Sequence, residues 1–340
     1  MSNWSANPTG RSVCVVIPSM NRRDDLRRCL SGVFAQRHEG LLEAVVVDNG
    51  STDGTAGMLA EAFPQVRVIR FEENRGPSVA RNFAIASTTA QAIWFLDSDS
   101  VVEDPGRLAA MLDRLDADPT IGCLGGELTR DAEGREWMRV KSILADGDTG
   151  TVSVPLDEVT MRDCGYLATC NSLMRRAVLE EIGGFDPGYF LGSEDKDVGY
   201  RVAARGYRNV SDRDAAVWHN VSMATRRSLM VKCRNSLRFS IKNLPVWRVL
   251  LLPILTLGVR LRGGVAGRLK AGEPAVTKYA TGRAPWIVKL VRLGARYVGA
   301  MVAAYAWNLW HLPATLRERV RPRNHIDDAA STLRNGQPTA

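Results

Sequence analysis

The chain lacks the sequence motifs of several common nucleotide-binding and catalytic folds. It contains no G-x-x-x-x-G-K-S/T loop, and no G-x-G-x-x-G follows its first predicted strand, which argues against P-loop enzymes and dinucleotide-binding dehydrogenases. The G-x-S-x-G turn of α/β-hydrolases is also missing. None of the six cysteines forms a C-x-x-C pair, so common zinc spacings are excluded and reduced thiols are expected.

Targeting and membrane-spanning signals are weak as well. Residues 1–12 include no apolar signal region, which predicts a cytoplasmic protein. The apolar stretch Val249–Val259 is too short to span a bilayer. Tyr297–Leu316 carries no charge, but it is rich in alanine and interrupted by Asn308, His311 and Pro313.

Acidic residues are scarce in the last third of the chain. Residues 222–340 hold 21 lysines and arginines but 4 acids, a net charge of +17, whereas residues 1–221 have a net charge of −9. The basic residues alternate with Leu, Val and four tryptophans, Trp247, Trp286, Trp307 and Trp310. This pattern favours helices lying on an anionic membrane surface. Helices packed on the catalytic domain, or one or two true spans, stay open as alternatives. No nucleic-acid motif is present, so no nucleic-acid partner is expected, although the charge alone leaves a basic nucleic-acid-binding module open as an alternative.

The first 125 residues alternate between strand and helix patterns. Five apolar runs predict strands: Val13–Ile17, Ala44–Val47, Val66–Ile69, Ile93–Leu96 and Ile121–Gly125. Helical spacing between them predicts four helices: Asp24–Gln36, about 54–62 with Asp53 as its cap, Pro77–Ala86 and Arg107–Leu115. Strands that alternate with helices indicate an α/β fold with a doubly wound, mostly parallel sheet.

Beyond residue 125 the pattern is less regular. Antiparallel strands and loops are expected over 126–170, and three later elements are predicted: helices Arg175–Ile182 and Asp195–Arg205, and strand Ala215–Trp218. We therefore expect a catalytic domain over 1–221, with a nucleotide half at 11–125 and an acceptor half at 126–221. A basic, mainly helical extension would cover 222–325, and a disordered tail 326–340.

Two acids, Asp97 and Asp99, directly follow the apolar run Ala92–Leu96. The pattern Asp-x-Asp occurs five times in the chain, but only this copy follows such a run. A buried strand would place both carboxylates at the carboxyl edge of the sheet, where open α/β sheets bind ligands. Two acids there suit a hard divalent cation that can hold a diphosphate, although a solvated acidic turn has the same sequence.

Polar residues also follow the other predicted strands at this edge. Four clusters converge there: Pro18–Arg22, Asp48–Thr55, Asn74–Gly76 with Arg81-Asn82 after it, and Asp97–Asp99. Such convergence predicts a nucleotide-binding enzyme.

These segments resemble the family-2 glycosyltransferases of the GT-A fold. The matching blocks are VCVVIPSMNRRDDLRRCL, VVVDNGSTDGT, NRGPSVARN, IWFLDSDS, GGFDPGYFLGSEDKDVGYRVAARGY and AVWHN. Their order and spacing match the family over about residues 11–221. A weaker likeness around 234–245 is to relatives that act on lipid-linked or cell-surface acceptors. The resemblance implies a GT-A-type α/β sheet with flanking helices. The basic helical extension expected from composition follows this region.

The resemblance also implies roles for individual residues. Asp48 would contact the nucleobase, and Asp97 would lie near the ribose. Asp99 and His219 would bind Mn²⁺ or Mg²⁺. Pro18, Asn21 and Arg81 would line the nucleotide pocket. Asp195, which is paired with Glu194 in the sequence, would be the catalytic base. On the residues alone, Glu194 and Asp195 also suit a helix cap, and His219 an ordinary strand histidine.

The expected reaction is a one-step, inverting transfer of a hexosyl or deoxyhexosyl group. The donor would be a UDP-, dTDP- or GDP-linked sugar, and the acceptor a hydroxyl group, with lipid-linked and cell-surface glycan precursors as candidates. One general base without a second nucleophilic carboxylate fits such a displacement. The enzyme would bind peripherally to the inner face of the cell membrane. A nucleotidyltransferase and a catalytically inactive nucleotide-sugar-binding protein stay open as alternatives.

Overall fold

The computed structural model describes residues 11–40, 42–130, 134–145, 147–158, 160–219, 229–251, 299, 301–320 and 323–335. Its residue contacts divide the chain into two compact units. The first unit comprises residues 1–142, 150–225 and 323–340, and the second comprises 143–149 and 226–322. The predicted boundary at residue 221 lies outside the described residues and stays a prediction.

The first unit is built on an eight-stranded sheet with the order β10-β12-β6-β11-β4-β1-β2-β3. Its strands are β1 (Val13–Ser19), β2 (Leu42–Asn49), β3 (Arg67–Phe71), β4 (Ala92–Leu96), β6 (Ile121–Gly125), β10 (Met161–Asp163), β11 (Asn171–Arg175) and β12 (Arg208–Asp212). β3, β2, β1 and β4 are parallel neighbours, as is the pair β6 and β12. β11 lies antiparallel between β4 and β6, and β10 lies antiparallel to β12.

The central strands are buried on both faces because helices cover both sides of the sheet. Alternate residues of β1 enter different apolar clusters: Val13, Val15 and Ile17 face one side, and Cys14 and Val16 the other. This is why β1 and β4 are continuous apolar runs rather than alternating ones. The predicted α/β sheet with flanking helices is confirmed.

Ten helices have defined bounds among the described residues, and the first six follow the predicted pattern closely. They are α1 (Arg23–Phe34), α2 (Thr55–Ala62), α3 (Pro77–Ala86), α4 (Arg107–Ala117), α5 (Arg176–Ile182), α6 (Glu194–Ala204), α7 (Leu229–Asn243), α8 (Val246–Leu250), α9 (Leu312–Val320) and α10 (His325–Arg334). The N-cap of α2 is Gly54, not Asp53 as predicted. Asp53 Oδ1 instead accepts the Thr55 N–H at 3.1 Å, because Gly54 takes the left-handed turn with φ of 85°.

A second, smaller sheet has the order β5-β13-β7-β8-β9. Its strands are β5 (Ser100–Val101), β7 (Glu127–Arg130), β8 (Glu136–Ile143), β9 (Thr149–Pro155) and β13 (Val217–His219). Antiparallel strands were expected over 126–170, and β7 and β8 form such a pair. The sheet matters for function because β5 begins directly after Asp99 and pairs with β13, which ends at His219.

The described residues of the second unit are largely helical, as expected for the basic extension. α7, α8, residues 301–310 and α9 account for most of them. Buried polar contacts join its helices: Arg238 Nη1 donates to Thr315 Oγ1 at 2.7 Å, and Asn308 Nδ2 donates to the Arg234 carbonyl at 3.0 Å. None of the helices in the described ranges is long and apolar enough to cross a bilayer. Residues 252–259 of the predicted apolar stretch lie outside those ranges.

The prediction of a disordered tail from residue 326 is wrong for the described part of that segment. α10 begins after Asn324, whose side chain accepts the N–H groups of Ile326 and Asp327. Ile326 and Ala329 are buried and belong to the apolar cluster that includes Phe83 of α3. This tertiary burial stabilises the helix. The sequence carried a signal for it that the prediction did not use, because Ile326, Ala329 and Leu333 recur at helical spacing after the Asn324 cap. Residues 336–340 lie outside the described chain.

Candidate active site

Three predicted site residues meet at the carboxyl end of β4. Asp97 and Asp99 follow Leu96, and the pairing of β5 with β13 places His219 opposite Ser100. His219 Nε2 lies 3.1 Å from Asp99 Oδ1 and 3.8 Å from Asp97 Oδ2. One donor atom from each residue lies within 4.8 Å of the others. Two carboxylates and one imidazole form a mixed oxygen–nitrogen donor set that fits Mn²⁺ or Mg²⁺.

The electrostatics of this cluster also fit a cation. Burial favours the neutral acid at Asp99, but the hydrogen bond and charge of His219 lower the pKa of this carboxyl below its usual value. At His219 burial opposes the charged form, yet bonds to Asp99, Cys170 and Glu127 raise the pKa of the imidazole well above its usual range. A positive charge is therefore favoured between the acids, which is where a divalent cation would lie.

Arg81 connects the acidic cluster with the predicted catalytic residues. This residue lies on α3, with its side chain 3% exposed. Its Nη2 atom lies 2.9 Å from Asp97 Oδ1, and its Nη1 atom lies 3.8 Å from Glu194 Oε1. Within the described chain, the buried Nε and Nη1 atoms of Arg81 have no hydrogen-bond partner. Buried donors of this kind are costly, so they favour an anionic ligand such as a diphosphate.

The predicted nucleobase side of the pocket is made by the loops after β1 and β2. Asn21 Oδ1 accepts the Thr52 N–H at 2.8 Å, and the Asn21 N–H donates to Ser51 Oγ at 2.9 Å. Asp48 is fully buried at the end of β2, and its carboxylate accepts from Ser51 N and Arg70 Nη1, each at 2.9 Å. Half-buried Pro18 pairs with Val47 beside them. These contacts hold the two loops together at the predicted edge.

Glu194 and Asp195 open α6, but neither caps it. The N-cap is Ser193, which has a left-handed φ of 73° and makes no capping side-chain bond. Glu194 is buried beside Arg81, whereas Asp195 is half-buried and accepts the Lys196 N–H at 2.8 Å. A non-glycine residue in this backbone region is strained, and such strain is frequent at functional sites.

Sequence reasoning missed three charged residues of the site. Arg22 Nη1 lies 3.7 Å from Asp99 Oδ2, and its place beside Asn21 in the first polar cluster was a usable signal. Glu127 Oε1 lies 3.4 Å from His219 Nδ1, and the only hint was an acid just after strand Ile121–Gly125. Lys141, on β8, interacts electrostatically with both Glu127 and Asp195, and nothing in its local sequence predicted this.

Comparison with known proteins agrees with this geometry. The model of Glycosyl transferase family 2 matches residues 14–183, half of the chain. The chain belongs to glycosyltransferase family 2. This family member is therefore a glycosyltransferase, and its sheet and flanking helices are those of the GT-A fold.

Two relatives show the extent of the sequence similarity. This glycosyltransferase is 29% identical over 212 residues to the N-acetylglucosaminyl-diphospho-decaprenol L-rhamnosyltransferase of Mycobacterium tuberculosis (strain CDC 1551 / Oshkosh), covering 55% of this chain and 69% of that protein. It is 33% identical over 211 residues to the succinoglycan biosynthesis protein ExoU of Rhizobium meliloti (strain 1021), covering 60% of each.

A solved structure resembles the chain over nearly its whole length. The mannosyltransferase PcManGT from Pyrobaculum calidifontis, in complex with GDP-Man and Mn²⁺, aligns with a TM-score of 0.53 and 21% identity. The alignment covers 91% of this chain and 90% of that one. At this identity the likeness is one of fold.

Proposed function

We propose that this chain is a metal-dependent, inverting glycosyltransferase that moves a hexosyl or deoxyhexosyl group from a nucleoside-diphosphate sugar to a hydroxyl acceptor. One observation carries the proposal: Asp97, Asp99 and His219 converge at the carboxyl end of β4, beside the buried Arg81, two of whose nitrogens have no hydrogen-bond partner among the described residues. Such a site suits a ligand that carries both a diphosphate and a divalent cation.

The donor would lie across the parallel end of the sheet. Asp48, Asn21 and Pro18 would line the pocket of its nucleobase, and Asp97 would lie near the ribose. Asp99 and His219 would hold Mn²⁺ or Mg²⁺, which when bound neutralises the charge that develops on the leaving diphosphate. The guanidinium of Arg81 adds positive charge next to Asp97. The related fold of the PcManGT mannosyltransferase, solved with GDP-Man and Mn²⁺, supports this arrangement.

Asp195 is the proposed general base. Its half-buried carboxylate leaves room for an acceptor hydroxyl, whereas Glu194 is buried against Arg81 and would help to orient that side chain. The base would take the hydroxyl proton as the oxygen attacks the anomeric carbon. Attack from the face opposite the departing diphosphate inverts the anomeric centre, and it requires no carboxylate nucleophile.

The proposed acceptor is lipid-linked, and the chain would bind peripherally to the inner face of the cell membrane. The name of the mycobacterial relative includes a diphospho-decaprenol acceptor, which supports a polyprenyl-type substrate. The second unit contributes basic residues together with exposed aromatic and aliphatic side chains, among them Trp247, Leu250 and Trp310. Such surfaces partition into the headgroup region of anionic membranes.

The deciding experiment is titration calorimetry with UDP, GDP, dTDP, CDP and ADP, with and without Mn²⁺. Wild type is compared with Asp99→Asn and with Asp113→Asn, a matched change at an exposed acid on α4. We expect Mn²⁺-dependent binding of one diphosphate in wild type and Asp113→Asn, and its loss in Asp99→Asn. Binding of none of them by the folded protein would contradict the proposal. In turnover with the matching donor, release of pyrophosphate instead of nucleoside diphosphate would indicate nucleotidyl transfer.

A further inference from the structure

Glu127 contacts the proposed metal ligand His219 from the side opposite the two aspartates. Its Oε1 atom lies 3.4 Å from His219 Nδ1, while Nε2 of the same ring faces Asp99 Oδ1 at 3.1 Å. The carboxylate is buried, with its side chain 6% exposed. β7 holds it in place, because this strand pairs in parallel with the strand that ends at His219.

Two cationic side chains on β8 favour the ionised carboxylate of Glu127, which can accept a hydrogen bond from the imidazole but cannot donate one. Arg139 Nη1 lies 2.8 Å from Oε1, and Lys141 Nζ lies 3.1 Å from Oε2. Register explains one of these pairs, because Glu127 and Arg139 lie opposite each other in the antiparallel pairing of β7 and β8. A carboxylate between two cations offers only lone pairs to the imidazole.

This arrangement selects one form of the neutral imidazole ring. A neutral histidine carries one ring proton, on either Nδ1 or Nε2. A proton on Nδ1 can be donated to Glu127, which leaves the Nε2 lone pair facing the aspartates. The other tautomer would place the Nδ1 lone pair against a carboxylate, which is repulsive. A cation can bind only the ring nitrogen that carries the lone pair.

We propose that Glu127 is a positioning residue, which fixes His219 in the Nδ1–H tautomer and so keeps Nε2 available to a divalent cation. The inference rests on the proposed function, because it requires that Asp99 and His219 bind the metal. The inference adds a role for β7 and β8 of the small sheet, whose residues would orient the metal ligand His219. These strands lie outside the polar clusters found in the sequence.

The first test measures Mn²⁺ affinity by electron paramagnetic resonance of the free ion, with Mn²⁺ as the only ligand. Variants are Glu127→Gln, Glu127→Asp and the control Glu43→Gln. Glu43 pairs with Arg67 at 2.7 Å at the opposite end of β2, far from the polar loops. We expect about 10- to 100-fold weaker binding for both Glu127 variants, as for other residues that orient metal ligands, and wild-type affinity for the control. Glu127→Asp keeps the negative charge that pairs with Arg139 and Lys141. Its side chain is one methylene shorter, so the carboxylate lies farther from His219 Nδ1.

The second test reads the tautomer directly. The four histidines of the chain are labelled with ¹⁵N, and the His219 signals are assigned by their loss in His219→Asn. At the lowest Mg²⁺ concentration that saturates wild type, we expect a single Nδ1–H tautomer in wild type and in Glu43→Gln. Glu127→Gln, whose weaker site is then only partly occupied, should show a mixture or the other tautomer. A structural role alone would not change the tautomer of a folded protein.

Wild-type Mn²⁺ affinity and an unchanged tautomer in Glu127→Gln would overturn the inference. If that variant does not fold, wild-type affinity in folded Glu127→Asp would overturn it equally. Asp99→Asn separates this failure from that of the proposed function. If Mn²⁺ binding is lost in Asp99→Asn but unchanged in the Glu127 variants, only the role of Glu127 is refuted. Retained binding in Asp99→Asn refutes the metal site itself.

Discussion

At the scale of single residues, the site is a chain of alternating charges in a mostly buried setting. Asp99 contacts His219, His219 contacts Glu127, and Glu127 contacts Lys141, which in turn interacts with Asp195. Each buried ion is compensated by a neighbour, as burial requires. The proposed metal ligand and the proposed base are thereby coupled electrostatically through intervening charged side chains, although they are far apart in the sequence.

Replacing Asp99 by Asn removes one proposed ligand charge without changing the shape of the side chain. Metal stabilisation of a leaving group contributes several kcal/mol, so we expect kcat/KM to fall by at least about 100-fold. The measurement is nucleoside-diphosphate release at saturating Mn²⁺, with Asp113→Asn as control and a thermal melt to verify folding. Turnover at the wild-type rate in folded Asp99→Asn would refute the assignment.

Replacing Asp195 by Asn tests the proposed base separately. General base catalysis contributes about 10²- to 10⁴-fold, so kcat should fall by that factor. Donor and Mn²⁺ binding should stay unchanged, because in the described part of the chain Asp195 makes no direct contact with Asp97, Asp99 or His219. Single-turnover kinetics and calorimetry on the same variant measure both quantities. Glu181→Gln, an exposed change on α5, is the control and should retain full activity.

At the scale of elements, α10 supports the helix that carries Arg81. The last described helix of the chain packs against α3, and Ile326 lies over Gly184, where an added Cβ would meet its side chain at 2.8 Å. The His325 N–H also donates to the Gly183 carbonyl at 3.0 Å. Gly183 and Gly184 both have positive φ, so glycine is needed here for conformation as well as for space.

Ile326→Ala should therefore destabilise the first unit. The side chain is 6% exposed, and truncation of such a residue costs about 2 to 5 kcal/mol. Leu333→Ala in the same helix is the matched control, since Leu333 is 36% exposed and should cost less than about 1 kcal/mol. Urea denaturation of the full chain measures both. Equal midpoints for the two variants would show that α10 contributes no tertiary burial.

At the scale of the whole molecule, charge and exposed apolar surface are concentrated in the C-terminal region. Net +17 over residues 222–340 contrasts with −9 over the preceding part. Residues 301–310 form a helix that exposes Val302, Leu309 and Trp310, the last at 84%. Cationic and aromatic side chains together favour an anionic lipid surface over a purely aqueous one.

We expect the chain to bind vesicles containing phosphatidylglycerol more tightly than pure phosphatidylcholine vesicles. Binding should weaken with added salt because surface charges are screened. Trp247→Ala combined with Trp310→Ala should reduce it, whereas Val152→Ala, at an exposed position on β9, should not. Co-sedimentation measures the bound fraction. Equal binding to both lipids, or none, would contradict a membrane role.

Local signals determined most of the nucleotide half. Helix Pro77–Ala86 and strand Ile121–Gly125 have the predicted bounds, because Gly76-Pro77 and a short apolar run are unambiguous in sequence. The same signals predicted that Asp48, Asp97 and Asp99 lie at or just after the ends of strands. The family blocks added His219 and Asp195, and the structure places His219 beside the two aspartates.

The tertiary structure alone decided the rest. β11 is inserted antiparallel between β4 and β6, a register that depends on pairing across more than 40 residues. The Glu127 side chain reaches His219, and the Lys141 side chain reaches Glu127, only because β7, β8 and β13 meet in the small sheet. Sequence patterns record local periodicity and capping, whereas these features arise from contacts between distant segments, which local periodicity does not encode.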